Sequence, residues 1–329
     1  MNYTAILKAL GAALISWGLN FVWMPKLIEL LKKWHFGQTI REDGPKSHLK
    51  KQGTPVMGGL GFIASTLIAA LIMTFKSFAD PELLIIIAAF VGYGAIGFLD
   101  DYLVVVRHNN EGLRPRPKFI MQCVLAAGLV IWYMAIEDTK IYTPFMSASH
   151  AVTYAPVLFF IIAAVMLAAE TNAVNLSDGL DGLSSSLVAE ALVPFVFFAY
   201  KENNESVMIL LCAMIGGLIA YLHYNKYPAK VMMGDTGSLA MGGIFAGSAL
   251  VLKQEWAVII VGGVFLAEVL SVIIQVGYFK ATHGKRFFRM VPLHHHFELG
   301  GMKEMDVVKN FRIAGGILAL LGILMGVLL

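Results

Sequence analysis

The sequence is poor in charged residues and in cysteine. Asp, Glu, Lys and Arg make up 14% of its 329 residues, whereas a soluble domain carries roughly 25%. Together with a hydrophobic content of 58%, this excludes an ordinary soluble globular domain. Cys123 and Cys212 both lie within apolar runs, and their spacing matches neither a disulfide framework nor a zinc site. We interpret both as buried small apolar residues.

The sequence is rich in long runs of apolar residues. A helix that crosses a bilayer needs about 17–25 predominantly apolar residues. Ten runs approach this length, at 4–24, 55–75, 83–99, 119–136, 154–172, 183–199, 206–222, 237–252, 256–279 and 310–328. The sequence therefore predicts an all-α integral membrane protein with about ten transmembrane helices, folded as a single domain over residues 1–329. The first run lacks a basic start and an obvious cleavage site, so we expect a retained span.

Basic residues are divided unequally between the two sets of loops. The loops after the odd-numbered runs, with their flanks, carry 20 of the 25 Lys and Arg residues. Because basic residues concentrate on the cytoplasmic side, these loops are predicted to be cytoplasmic and both termini extracytoplasmic. Five polar stretches fall on the same face: DGPKSHLKKQGTPVMGG, LDDY, NAVNLSDGLDG, HYNKYPAKVMMGDTGS and PLHHHFE. Their clustering predicts one cytoplasmic site at the membrane surface.

Two adjacent acids, Asp100 and Asp101, interrupt the apolar sequence at the end of the third run. An acid costs about 2.5–3.5 kcal/mol at the centre of a membrane helix, so this position needs an explanation. Adjacent helical residues point about 100° apart. We expect one acid to face a polar cleft and the other to bind a neighbouring helix or ligand. A solvated helix end is the alternative, although the apolar residues 103–106 argue against it.

The stretch NAVNLSDGLDG places Asn172, Asn175, Asp178 and Asp181 at three-residue intervals. In a helical turn this spacing aligns side chains on one face. The stretch has no basic residue, which is unusual for a cytoplasmic loop and favours ligand binding over simple exposure.

The stretch MGDTGS places Asp235 between two glycines at the start of the eighth run. Asp235 or Thr236 can cap a helix here. The functional alternative is an oxygen ligand for Mg²⁺, which takes one or two carboxylates plus substrate phosphates. Acids alone repel phosphates, whereas acids with Mg²⁺ attract them and neutralise charge during phosphoryl transfer. The clusters together predict a magnesium-containing cleft in which one reactant is a lipid.

Three successive histidines, His294, His295 and His296, lie in PLHHHFE. They cannot all bind one zinc ion from a regular helix, so we expect a phosphate-contacting or structural loop. Glu190 and Glu268 lie within predicted spans. Intramembrane acids are candidates for function, and hydrogen bonding between helices is the structural alternative for both.

These motifs resemble those of the phospho-N-acetylmuramoyl-pentapeptide transferases, which make lipid I in bacterial peptidoglycan synthesis. The resemblance covers essentially the whole chain, and NAVNLSDGLDGL and PLHHHFE carry it most specifically. It implies transfer of phospho-MurNAc-pentapeptide from UDP-MurNAc-pentapeptide to undecaprenyl phosphate, with Mg²⁺ as cofactor and UMP as the second product. It also implies a multi-pass protein of the bacterial plasma membrane with its site facing the cytoplasm.

The resemblance further implies roles for individual residues. Asp235 is the expected metal ligand. Asp100 is the expected base or phosphate-positioning acid, with Asp101 beside it. The positions that match the nucleotide side are Lys51, Asn175, Asp178, Asp181, Asn225 and Gln275. The histidine stretch, His294, His295 and His296, matches a loop that contacts polar groups of the substrate. His294 is also expected to be a catalytic residue.

Two positions depart from the family pattern. Val56 stands where a second Thr is common, and Met232 stands where a Phe would stack on the uracil ring. Met still offers a polarisable apolar contact.

Two alternative functions compete with this prediction. A related polyprenyl-phosphate hexosamine-1-phosphate transferase is disfavoured by the histidine stretch. A cation transporter is disfavoured because the acids concentrate at one face, not near the midplane. No feature indicates nucleic-acid binding. The sequence leaves the oligomeric state open, with a homodimer as one option.

Overall fold

The structure is a computed structural model that describes residues 3–34, 51–107, 112–141 and 152–328. Residues 43–50, the first part of the stretch DGPKSHLKKQGTPVMGG, lie outside the described residues. Within the described parts of the chain there are twelve α-helices and one pair of short strands.

The helices follow the predicted apolar runs in chain order. They are α1 (Tyr3–Lys33), α2 (Gly59–Met73), α3 (Pro81–Arg107), α4 (Pro115–Ile136), α5 (Pro156–Leu176), α6 (Leu183–Lys201), α7 (Glu205–Asn225), α8 (Gly234–Val251), α9 (Glu255–Val261), α10 (Gly263–Ala281), α11 (Leu293–Glu298) and α12 (Glu304–Leu328). The ninth predicted span is two helices, α9 and α10, separated at Gly262. Strands β1 (Lys140–Ile141) and β2 (Val152–Thr153) form an antiparallel pair that the sequence did not predict.

Eight helices in the described part of the chain are long and apolar enough to cross a membrane: α1, α3, α4, α5, α6, α7, α10 and α12. Helix α2 is apolar but has only 15 residues. The predicted class, an all-α membrane protein, is confirmed. The number of spans, the side of each terminus and the single-domain organisation stay predictions.

Local sequence explains several helix starts. Proline occupies the first position of α3, α4 and α5, where its fixed φ is favourable and its missing N–H has no partner to lose. Helix α7 has a side-chain cap, because Asn204 accepts a hydrogen bond from the backbone N–H of Val207 at 3.1 Å.

Helix α8 lies at the centre of the bundle, and all its residues from Thr236 to Val251 are buried. It packs against α3 and α5. Gly243 of α8 lies against the backbone of Ala89, and Gly242 lies against the backbone of Thr171. Small residues allow membrane helices to approach closely. This packing brings the polar start of α8 to the ends of α3 and α5.

Candidate active site

Three carboxylates meet where α3 ends and α8 begins. Asp100 and Asp101 lie near the end of α3, and Asp235 lies in the first turn of α8. One oxygen of each carboxylate lies within 4.8 Å of the other two. Gly97 permits this approach, because a Cβ at that position would overlap the backbone carbonyl of Asp235. The structure thus unites LDDY and MGDTGS in one cluster.

Asp101 caps helix α8 from the neighbouring helix. Its Oδ1 accepts the backbone N–H of Asp235 at 3.0 Å. Its Oδ2 accepts the backbone N–H of Thr236 at 2.9 Å and the Thr236 hydroxyl at 2.6 Å. The alternative that Asp235 or Thr236 caps its own helix is not observed, because N–H groups at the start of α8 are satisfied from α3.

One half of the division of roles expected for the adjacent acids is confirmed, because Asp101 binds the neighbouring helix. Asp100 is half-buried, and that it faces a polar cleft stays a prediction. Asp100 Oδ1 accepts the backbone N–H of Leu113 at 2.7 Å. Its Oδ2 lies 3.6 Å from the Lys118 ammonium. Lys118 also forms an ion pair with Asp235 Oδ2. A single lysine of α4 therefore lies between two of the three acids.

Sequence reasoning missed Lys118, counting it only among the basic residues that set orientation. A usable signal existed. Lys118 directly precedes the apolar run 119–136, at the same face as LDDY. A lysine at the end of a span, opposite two acids, is a candidate partner for them.

The stretch NAVNLSDGLDG divides between two environments. Helix α5 ends at Leu176, so the expected alignment of four polar side chains on one helical face is wrong. Asn172 Nδ2 donates to Gln122 Oε1 at 2.7 Å, deeper in the bundle. Asn175 Nδ2 donates to Asp235 Oδ1 at 2.9 Å and to Ser238 Oγ at 2.8 Å. Asn175 thus holds the expected metal ligand from the side opposite Lys118.

Asp178 lies in the turn after α5, close to the carboxylate cluster. Burial raises the pKa of its carboxyl to about 8, and the negative charges of Asp235 and Asp101 act in the same direction. The turn therefore places a carboxyl group that favours its neutral form beside three acids.

Lys51, Asp181 and Glu304 form a second polar cluster. The Lys51 ammonium lies 2.7 Å from Asp181 Oδ1 and 2.6 Å from Glu304 Oε1. The backbone N–H of Ala229 donates to Asp181 Oδ2 at 2.8 Å. Burial alone would lower the pKa of Lys51, but the two carboxylates outweigh it and raise that pKa above its usual value. Glu304, the first residue of α12, was not anticipated from the sequence.

Asn225 connects this cluster to the rest of the site. Its Oδ1 accepts the backbone N–H of Gly182 and the Ser185 hydroxyl, both at 3.1 Å. Its Nδ2 donates to the backbone carbonyl of Val231 at 3.0 Å. Of the residues expected on the nucleotide side, Lys51 and Asp181 form an ion pair and Asn225 binds the adjacent Gly182, whereas Asn175 belongs to the carboxylate cluster.

The histidine stretch forms the short helix α11. His294 is fully buried, and its Nδ1 lies 3.0 Å from Glu268 Oε1. His295 Nδ1 lies 2.8 Å from Glu298 Oε2. His296 Nδ1 accepts the backbone N–H of Arg289 at 3.1 Å. The three histidines therefore face three different partners, and the expected loop is a helical turn.

Gln275 and the two intramembrane acids have structural partners. Gln275 Oε1 accepts the backbone N–H groups of Phe287 and Phe288, at 3.1 and 2.9 Å. Arg312 Nε donates to Glu190 Oε1 at 2.9 Å, linking α12 to α6. With Glu268 bound to His294, both acids make the side-chain interactions named as the structural alternative.

The donor set at the start of α8 fits a hard divalent cation. Asp100 and Asp235 supply carboxylate oxygens, the ligand type that Mg²⁺ prefers. The Lys118 ammonium contacts both carboxylates, so the cluster already stabilises positive charge at this point. Asp101 is less available as a ligand, because both of its oxygens accept hydrogen bonds from α8.

Membrane-length helices that converge on a carboxylate–lysine cluster define a multi-pass membrane protein with a candidate site for phosphate chemistry. The model of the family described as glycosyl transferase family 4 matches residues 83–253. The phospho-N-acetylmuramoyl-pentapeptide-transferase of Staphylococcus saprophyticus is 43% identical over 320 residues, covering 96% of this chain and 98% of that protein. The proteins of the same name from Staphylococcus carnosus and Staphylococcus epidermidis are 44% and 42% identical, with the same coverage. The chain belongs to the phospho-N-acetylmuramoyl-pentapeptide transferase family and is a membrane transferase.

The two departures from the family pattern lie beside the site. The backbone N–H of Met232 donates to the Pro55 carbonyl at 2.8 Å, and the Gly58 N–H donates to the Met232 carbonyl at 2.9 Å. These bonds join the segment that contains Val56 to the segment that precedes Asp235. Neither side chain replaces an acid of the cluster.

Proposed function

We propose that the protein transfers phospho-MurNAc-pentapeptide from UDP-MurNAc-pentapeptide to undecaprenyl phosphate, giving lipid I and UMP in peptidoglycan synthesis. The main observation in support of this proposal is the cluster of Asp100, Asp235 and Lys118 at one end of a membrane bundle. Such a cluster can bring together a water-soluble diphosphate and a membrane-bound phosphate. The names of the three Staphylococcus relatives support phospho-N-acetylmuramoyl-pentapeptide as the transferred group.

The proposed location is the bacterial plasma membrane, with the carboxylate cluster at the cytoplasmic surface and both termini outside. The unequal distribution of Lys and Arg between loops supports this orientation. It also suits the chemistry, because a nucleotide-activated sugar is a cytoplasmic reactant. Residues 1–329 would act as a single domain, and the oligomeric state stays open, with the homodimer as one option.

Mg²⁺ is the proposed cofactor. Asp235 is its proposed ligand, and Asp100 offers a second carboxylate within reach. When bound, the ion would supply electrostatic stabilisation of phosphate charge. Asp101 would serve the reaction mainly by fixing the start of α8, because its oxygens are engaged there.

Direct attack by the lipid phosphate is the proposed route. An oxygen of undecaprenyl phosphate attacks the phosphorus next to the sugar, the bond from that phosphorus to the bridging oxygen breaks, and UMP leaves with that oxygen. The lipid phosphate already carries an anionic oxygen at neutral pH, so a covalent enzyme intermediate is not required. Asp100 would position this phosphate or take its remaining proton, and Lys118 would reduce repulsion between the two anions.

The proposed donor site uses Lys51, Asn175, Asp178, Asp181, Asn225 and Gln275 together with the histidines His294, His295 and His296. The ion pairs and hydrogen bonds among Lys51, Asp181 and Asn225 support a preformed wall on the nucleotide side. Asn175 would connect this wall to Asp235. Side chains that are already ordered before the ligand binds lose less conformational entropy when it binds.

The test is turnover by the purified protein in detergent, following UMP release and the lipid product. We expect product with UDP-MurNAc-pentapeptide, undecaprenyl phosphate and Mg²⁺, and none after EDTA treatment. Asp138→Asn, at an exposed ion pair outside the cluster, is the control for a charge change elsewhere. Product only with UDP-N-acetylhexosamine would favour the related transferase, and no product with any donor would contradict the proposal.

A further inference from the structure

His294 and Glu268 form a fully buried pair between α11 and α10. Both side chains have no exposed surface. His294 Nδ1 lies 3.0 Å from Glu268 Oε1, and the backbone N–H of His294 donates to Glu268 Oε2 at 3.4 Å. One carboxyl group therefore contacts both the ring and the main chain of the same histidine. This fixes the ring orientation more tightly than a single contact would.

The other ring nitrogen of His294 has no hydrogen-bond partner among the described residues. Nε2 is buried, and it faces Gly179 in the turn that carries Asp178 and Asp181. A Cβ at Gly179 would overlap Nε2, so only main chain covers the ring there. Buried polar atoms in native proteins are nearly always paired, and an orphaned nitrogen beside the proposed donor site therefore indicates a missing ligand atom.

The contact with Glu268 divides the roles of the two ring nitrogens. Nδ1 is occupied by the carboxyl group at 3.0 Å. Nε2 is the ring nitrogen that stays available for a ligand. Because the ring orientation is set by Glu268, the direction in which Nε2 points is set by it too.

The neighbouring histidine does not share this arrangement. His295 pairs with its own carboxylate, Glu298, at 2.8 Å. The acid that contacts His294 is Glu268 on α10. The orphaned nitrogen belongs to His294, so a role in donor recognition falls on the first histidine of the three.

We propose that Glu268 is a positioning residue for the transferase reaction, holding His294 so that its Nε2 makes a hydrogen bond to a polar atom of the UDP-sugar. The inference rests on the proposed function, because it takes the turn at 177–182 as part of the donor site. Donor binding would displace the Gly179 main chain far enough to uncover Nε2. Glu268 itself touches no substrate and acts through the histidine.

Two replacements of Glu268 separate hydrogen bonding from packing. Glu268→Gln keeps the size and both contacts. Its oxygen can accept the His294 backbone N–H while its NH₂ donates to Nδ1, which keeps the ring orientation. Glu268→Met keeps the volume and removes both contacts. We expect Gln to retain kcat/KM for the donor within a few-fold, and Met to lose about 10- to 100-fold, the usual cost of removing a partner that orients a functional histidine.

Repeating both replacements in a His294→Asn background tests whether Glu268 acts through His294. If Glu268 acts through His294, the loss caused by Met should largely disappear in that background. The KM for undecaprenyl phosphate should change little in every variant, whereas the melting temperature should fall in the Met variant, which leaves buried polar atoms of His294 unpaired. If the Met variant does not fold, Glu268→Asp withdraws the carboxylate by one methylene and should give the same loss.

Three results would overturn the inference: full activity in the Met variant, an equal loss with Gln and Met, or an undiminished Met effect without His294. Wild-type turnover is measured first, with UDP-MurNAc-pentapeptide and with UDP-N-acetylhexosamine. Lack of turnover of the first substrate counts against the proposed function. The variant ratios are then taken with whichever donor the wild type accepts, so the two failures are distinguishable.

Discussion

Asp101 of α3 holds the start of the helix that carries Asp235, with its Oδ1 accepting the Asp235 backbone N–H at 3.0 Å. The pairing joins two acids that would otherwise repel each other. A carboxylate at a helix N-terminus is stabilised by free N–H groups and by the helix dipole. The contact explains why two adjacent aspartates at the end of α3 are compatible with a buried setting.

Replacing Asp101 by Asn should destabilise the fold as well as the reaction. The amide keeps one acceptor but turns an N–H₂ group toward the donors of Thr236. We expect a loss of about 0.5–2 kcal/mol in the free energy of unfolding, the usual value of an N-cap. The measurement is thermal unfolding in detergent. Asp100→Asn is the matched control, and equal melting temperatures for the two variants would contradict the assignment.

Replacing Asp235 by Asn should abolish turnover while leaving the fold intact. The amide can still pair with Asn175 but loses the charge that holds a cation. Removing one key electrostatic group typically costs about 10²–10³ in rate, and we expect at least this loss. UMP release at ordinary Mg²⁺ concentration measures it. A near-normal rate would mean that the metal is held elsewhere.

Replacing Lys118 by Met should have two separable effects. Turnover should fall by about 100-fold, because the positive charge between Asp100 and Asp235 is lost. The Mg²⁺ concentration for half-maximal activity should also fall, since the ammonium no longer competes for the carboxylates. A Mg²⁺ titration of the residual rate reports the second effect. An increased Mg²⁺ requirement would instead indicate that Lys118 helps to retain the ion.

Replacing Asp181 by Ala should weaken nucleotide binding more than lipid binding. The change leaves Lys51 paired with Glu304 alone and removes the acceptor of the Ala229 N–H. An unsatisfied buried group costs about 1–3 kcal/mol, so part of the effect should appear as lower stability. UMP and undecaprenyl phosphate affinities, each measured by calorimetry, separate the two contributions. Equal losses for both ligands would indicate a general folding defect.

Asp178 should make the folded protein less stable as the pH rises. Burial raises the pKa of its carboxyl to about 8, against about 3.9 in an unfolded chain. Between these values the folded state binds the extra proton, so stability decreases with increasing pH. With EDTA present to exclude divalent cations, the melting temperature of Asp178→Asn should drop less between pH 5 and pH 8 than that of the wild type.

Asp138 provides the control for this pH series. Hydrogen bonds from Lys140 and Lys253 lower the pKa of its carboxyl to about 2. Asp138→Asn should therefore remove a constant stabilisation above pH 4, change the slope of stability with pH only below pH 4, and leave the slope between pH 5 and pH 8 unchanged. The same slope in wild type and Asp178→Asn would refute the role given to Asp178.

The apolar runs predicted the helices well, because length and hydropathy are local properties of the chain. They could not reveal the break at Gly262, since no charge or proline lies at residues 256–267 of that run. LDDY and MGDTGS were identified as polar, but their contact depends on Gly97, whose effect requires knowledge of how the helices pack. Lys118 and Glu304 were missed for the same reason. Each contacts an acid that is more than 100 residues away in the sequence.

The close approach of Gly97 to Asp235 determines how the cluster responds to its occupants. Two main chains in contact cannot separate by a change of rotamer. The distance between the main chains that carry Asp100 and Asp235 is therefore a property of the scaffold, and it should stay the same when Lys118, a cation or a phosphate comes and goes. The packing of the bundle thus sets the separation of the two backbones, and this separation limits the size of the ion that both acids can bind.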